Sequence, residues 1–98
     1  MSSDTANTAE RVRGLVEADP VVLLEIAGAI SHQEGRWPAD RVTDIAGEHA
    51  RRLAQAPRPR LRVAVEQMLM GRDVDSALEW LRATAILPVL FPELAATV

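Results

Sequence analysis

The sequence has no cysteine, no lysine and no tyrosine, and only one phenylalanine and two tryptophans. The first absence excludes disulfides, thiolate metal sites and thiol catalysis. The scarcity of rings removes most of the surface on which single-stranded bases are usually stacked. Strand signals are poor as well, with no convincing apolar–polar alternation. Long apolar runs are missing: residues 21–30 are the longest candidate, are interrupted by Glu25, and fall well short of the ~20 residues a bilayer requires. The opening Met1-Ser2-Ser3-Asp4-Thr5 has neither the basic start nor the apolar stretch of a secretory signal. A cytoplasmic protein without a membrane partner is the expectation.

What is present is an ordinary globular balance, 48% hydrophobic and 26% charged over 98 residues. That length makes one domain with a thin stability margin, read here as a single helical domain over residues 1–98 with residues 1–6 as a disordered lead-in. All eleven basic residues are arginine, and their placement is uneven. Residues 1–50 carry nine acids against four arginines, residues 51–62 carry five arginines and no acid, and residues 63–98 carry five acids against two arginines. A weakly acidic chain thus has one concentrated basic segment.

Helix punctuation is abundant. Asn7 with Glu10 three residues later reads as a capping box that opens a first helix through about Ala18. Asp19-Pro20 is a cap followed by proline, the start of a second helix that should stop near Gly35. Its Val21, Val22, Leu23, Leu24, Ile26, Ala27, Ala29 and Ile30 leave little polar face, which makes it the central, mostly buried helix. Pro38 suits the first turn of a third helix, whose stripe of Val42, Ile45, Ala46, His49, Ala50 and Leu53 is continuous and ends before Pro57. Pro59 starts a fourth, with Leu61, Ala64, Val65, Met68 and Leu69 inward and Gly71 closing it. Asp73 caps a fifth along Val74, Ala77, Leu78, Leu81 and Ala85, and the proline-punctuated tail from Ile86 allows only short helical turns. The fold class is all-α: a bundle of about five helices with a short helical C-terminal tail.

No candidate site survives as catalytic. Asp73-Val74-Asp75 has the carboxylate spacing used by two-metal sites, but its first Asp stands where a helix cap belongs. His32 and His49 are the only imidazoles, too few for a metal site of the usual three or four ligands, and His49 lies on an inward stripe. No phosphate-cradling glycine loop and no nucleophile with an oriented base is recognisable, so no cofactor, metal or small-molecule substrate is expected. Arg51, Arg52, Arg58, Arg60 and Arg62 are the feature with a functional reading: guanidiniums recognise phosphate through paired hydrogen bonds. The competing reading is a solvated helix junction, since Glu48 precedes Arg52 by four residues and Arg62 precedes Glu66 by four. Val63 and Met70, seven apart and opposite the core stripe of the fourth helix, are candidates for an apolar partner surface.

Residues 19–94, about three quarters of the chain, resemble the helical neck and body of bacterial tRNA nucleotidyltransferases and poly(A) polymerases. Asp19-Pro20-Val21-Val22-Leu23-Leu24-Glu25-Ile26-Ala27 lies where that family has Asp-Pro-Leu-Arg-x-Leu-Arg-Ala. Arg60-Leu61-Arg62 resembles its Arg-Ile-Arg, and Ala77-Leu78, Leu81, Thr84 and Leu90-Phe91-Pro92-Glu93-Leu94 resemble its closing pattern. The departures bear on function. The family's neck arginines correspond to Val22, Glu25 and Gly28, the acid after Arg-Ile-Arg to Ala64, and the Gly of Thr-Gly to Ala85. The catalytic sheet domain, with its Gly-Ser and paired Asp, has no counterpart in these residues. The resemblance implies a shared helical scaffold and opens RNA contact as an expectation; it does not imply nucleotidyl transfer.

The sequence therefore reads as a non-catalytic helical binding module, not an enzyme, mediating protein–protein interaction or oligomerisation. Overall acidity and missing aromatics favour that reading. The arginine cluster and the family resemblance favour an RNA-binding module instead, and a third alternative is the N-terminal piece of a larger enzyme.

Overall fold

Caps and prolines account for most of the helix boundaries. The computed structural model describes residues 2–33 and 36–90, with side chains from Thr8 onward. In order they form α1 (Ser2–Ala18), α2 (Val22–His32), α3 (Asp40–His49), a 3-10 helix (Ala50–Gln55), α4 (Arg58–Leu69), α5 (Val74–Ala83) and the four-residue α6 (Leu87–Leu90). There is no strand among the described residues, and the fold is all-α as expected.

Asp19-Pro20 opens α2, slightly later than the motif alone places it. Asp19 Oδ1 accepts the Val21 amide at 3.1 Å. The amides of Val22, Leu23 and Leu24 bond three residues back, so the entry is wound as a tight turn before the α-helix proper. Leu23, Leu24, Ala27, Ile30 and Ser31 are buried, while Glu25 and Ala29 stay exposed. α2 packs against α1, α4 and α5 and is the central helix. It ends at His32, earlier than expected; Gly35 lies outside the described residues.

Three other boundaries differ from the sequence reading. α1 begins at Ser2 rather than at Asn7, taking in residues expected to be a disordered lead-in; Ser, Asp and Thr are well suited to a first turn. Pro38 precedes α3 instead of opening it, with Ala39 at the cap position. The third helix also changes its winding: α3 stops at His49 and the chain continues as 3-10 helix from Ala50. With three residues per turn, Ala50 and Leu53 stand one above the other, and both are buried. His49 sits half-buried at the switch, its Nδ1 2.9 Å from the Ile45 carbonyl.

The core has two joined parts. Ala9 of α1 with Val42 and Ile45 of α3 forms a small cluster. Val12 and Ile26 connect it to the main one, which includes Val16, Leu23, Leu24, Leu53, Met68, Leu81 and Ile86. Trp80 of α5, absent from the stripe read off the sequence, is fully buried, and its Nε1 donates to Thr43 Oγ1 at 3.0 Å. Ala85, expected on that stripe, is exposed instead because α5 has already ended. It takes φ 60°, the left-handed position that usually holds glycine. Ala85 N–H bonds to the Arg82 carbonyl at 3.1 Å and Ile86 N–H to that of Leu81 at 2.9 Å, the bond pair of a Schellman turn. α6 then packs on α5 and the 3-10 helix.

Candidate nucleic-acid interface

α2 and α4 lie side by side in the same direction, because contacts join their beginnings and their ends. At the far end, Ser31 Oγ donates to the Met68 carbonyl at 2.6 Å inside the protein, and His32 Nε2 lies 2.9 Å from the Gln67 carbonyl. Gly71 stands just past the Met70 cap, the closing position read from the sequence, and serves a second purpose as well. A Cβ there would stand 1.6 Å from Ser31 Oγ and 2.7 Å from the Ser31 carbonyl carbon, so glycine is required by close approach. Asp73 N–H bonds to the Ser31 carbonyl at 3.0 Å, which carries the chain into α5. There the Asp73 carboxylate accepts from Ser76 N at 3.2 Å and Ser76 Oγ at 3.1 Å, as a helix cap.

All five arginines of the basic segment are exposed, and two of them, Arg52 and Arg60, border one recess at the near end. Arg52, on the 3-10 helix, does not pair with Glu48 as the spacing predicts. Its Nη2 donates to the Glu17 carbonyl at 2.9 Å, while Glu48 faces Arg13 at 3.9 Å, because the 3-10 winding turns Arg52 away from Glu48 and toward the end of α1. Arg60, in the first turn of α4, forms an ion pair with Asp19 through its Nη2. Arg62 bonds to Glu66 at 3.2 Å along the helix, the pairing expected from spacing. Arg51 and Arg58 have no partner among the described residues.

The Arg60 hydrogen bond holds the Asp19 carboxyl below the ordinary carboxylate range, against desolvation, with the Val21 amide acting in the same sense. The same bond raises Arg60 above the ordinary arginine value, with the charges of Asp19 and Glu25 adding to it. Sequence reasoning missed Asp19 as a member of this site. Its capping role already explained it, and the pair spans 41 positions, so no local signal announces it.

Val63 on α4 and Met70 at its C-cap are exposed, at 57% and 75%. Leu69, expected inward, is 53% exposed as well, since α4 turns Met68 alone of its last residues into the core. A shallow groove of about 660 Å³ runs between α2 and α4, with Gly28, Ala29 and Val63 on its walls and Glu25, His32 and Arg60 on its rim. The indoles are engaged elsewhere: Trp80 is in the core, and Trp37 Nε1 donates to the Ser76 carbonyl at 3.2 Å. Among the described residues no group of three or more His, Asp or Glu is placed to hold a metal ion. None of their helices is long and apolar enough to cross a membrane.

The family model described as the probable RNA and SrmB-binding site of polymerase A matches residues 45–97, just over half of the chain. The chain belongs to this family, the RNA-binding helical region of the polymerase A and tRNA nucleotidyltransferase group. The match begins within α3 and takes in the 3-10 helix, α4, α5 and α6, and hence all five arginines. The family covers a non-catalytic region of those polymerases. No curated protein and no solved structure matches the chain.

Proposed function

We propose that this chain is a non-catalytic RNA-contacting module whose phosphate-facing surface is formed by Arg51, Arg52, Arg58, Arg60 and Arg62. The observation that carries the reading is their exposure, with Arg51 and Arg58 unpaired among the described residues, inside the span that matches an RNA-binding family. Burial of paired guanidiniums would have spoken for a structural role; exposed and partly free ones are suited to exchange water for phosphate oxygens. With no exposed aromatic ring bordering the recess of Arg52 and Arg60 among the described residues, these arginines address the backbone of an RNA more than its bases.

Salt titration of binding to a structured RNA tests this. Log affinity of the wild type should fall linearly with log salt. Arg58→Ala/Arg60→Ala/Arg62→Ala should flatten that slope by about 0.7 for each single-strand phosphate that the variant no longer neutralises. A wild type that binds no RNA at low salt would sink the reading.

A second reading is favoured by a separate observation, the exposed Val63 and Leu69 on α4 and Met70 at its C-cap. These are candidate anchors for a protein partner or for self-association, in which apolar contacts supply affinity and charge mainly sets the on-rate. Sedimentation of the wild type against Val63→Ser/Met70→Ser distinguishes self-association, which the double substitution should abolish, from a surface that only solvates α4.

A further inference from the structure

A hollow of about 310 Å³ lies between the α1–α2 turn and the start of α4, bordered by Asp19, Pro20, Arg52, Gln55, Pro57 and Arg60. Two guanidiniums thus border a single recess, brought there from different elements, and the carboxylate in it binds one of them. Asp19 has two tasks that differ in what they need. As a turn-former it accepts the Val21 amide, which an uncharged Asn oxygen does equally well. Its charge is needed for neither that bond nor the apolar core beneath it. What the charge does is occupy Arg60, because a carboxylate offers a guanidinium the same pair of oxygens that a phosphate does. Both partners face water, with the Arg60 side chain 52% exposed, so an exchange of anion requires no unfolding.

We propose that this recess is a phosphate seat for an RNA strand, held closed in the free protein by Asp19, which the incoming phosphodiester displaces from Arg60. The inference rests on the RNA-contact reading above. The unpaired Arg51 and Arg58 make the first contacts. Arg60 joins only once a phosphate competes with its internal carboxylate, and Arg52 and Gln55 line the same recess.

The test is a titration of a fluorescein-labelled single-stranded RNA of twelve nucleotides at several salt concentrations. The proteins are wild type, Asp19→Asn, Arg60→Ala, the Asp19→Asn/Arg60→Ala double variant, and Asp75→Asn, which removes one exposed negative charge from α5. Asp19→Asn should bind about fivefold tighter at 0.1 M salt with nearly the wild-type slope, because Arg60 neutralises the same phosphate in both complexes and only its competing carboxylate is gone. In the Arg60→Ala background that gain should vanish, and Asp75→Asn should not reproduce it. An equal gain in Asp75→Asn, or one that survives Arg60→Ala, belongs to overall charge and overturns the seat. Unchanged affinity of Asp19→Asn beside a wild type that binds also overturns it, and leaves the RNA reading standing. No binding by either protein overturns both. A measurement on the unaltered chain does not depend on how the variants fold: the carboxyl carbon resonance of Asp19 should move when RNA is added, and a stationary resonance while RNA is bound overturns the seat.

Discussion

The two ends of the α2–α4 pair are joined by opposite chemistry. At one end Ser31 reaches the Met68 carbonyl out of contact with water, and Gly71 lets the backbones come within a distance no side chain would permit. At the other, Asp19 and Arg60 meet in the open, with Arg52 beside them on a backbone carbonyl of α1. A buried neutral bond between packed backbones has no substitute partner, so it fixes the angle of the helices. An exposed ion pair contributes little to stability and can be exchanged for another anion. The first end holds the scaffold; the second is free to serve a ligand.

The largest expected effect probes what lies under the open end. Leu24, 1% exposed beneath the groove, should cost about 2–5 kcal/mol when replaced by Ala, measured by urea unfolding. An equal cost from single substitutions among the arginines would mean that charge, not the apolar floor, holds that end. Next in size is the closed end. Gly71→Ala should cost about 1–3 kcal/mol by forcing Ser31 and its helix aside. Because the nearest obstructing atom is Ser31 Oγ, Ser31→Ala/Gly71→Ala should cost less than the two single changes together, although the Ser31 backbone still obstructs. Additive costs would show that the two residues do not meet as described.

A third join separates strain from packing. Ala85 holds a left-handed conformation with both bonds of its turn made, so Ala85→Gly should stabilise the fold by about 1 kcal/mol, read as a rise in thermal midpoint. A fall instead would mean that Gly loses more in the unfolded chain than it gains in the turn.

The smallest effects belong to the exposed pair. Arg60→Ala and Asp19→Asn should leave the thermal midpoint at neutral pH nearly unchanged, in contrast to Gly71→Ala. Because Arg60 lowers the Asp19 carboxyl in the folded chain, the contribution of the pair is complete above the ordinary carboxylate value. It is lost as pH falls through the lowered folded value. The wild type and Asp19→Asn should therefore differ most near neutrality and converge in acid, in parallel melts from pH 7 to about pH 2. A difference that persists in acid would place the role of Asp19 in geometry rather than charge.

Much of this molecule was legible in short stretches of sequence because the signals act within four residues. Asp73 caps α5 on Ser76, Asp19-Pro20 opens α2, and Arg62 pairs with Glu66, all within one helical turn. The apolar run of residues 21–30 marked the central helix for the same reason: a helix with little polar face has to be covered on most sides. The arginine cluster was visible too, being contiguous in sequence.

Tertiary structure alone decided how those pieces were used. Whether an arginine is free depends on what the fold sets beside it. Spacing assigned Arg52 to Glu48, but the 3-10 winding sends it to Glu17, and Arg60 meets an acid 41 positions away. Leu69 had the right spacing for the core, yet it faces solvent because α4 is covered on one side only. Gly71 closes α4 as its position in the sequence suggested, but it is also a point of close approach to Ser31, and Trp80 and Thr43 found each other across the bundle. Composition and periodicity specify which face of each helix is apolar. Which polar groups are left for a ligand is settled only when the helices pack, because pairing across the bundle is a contest among distant partners that no local pattern records.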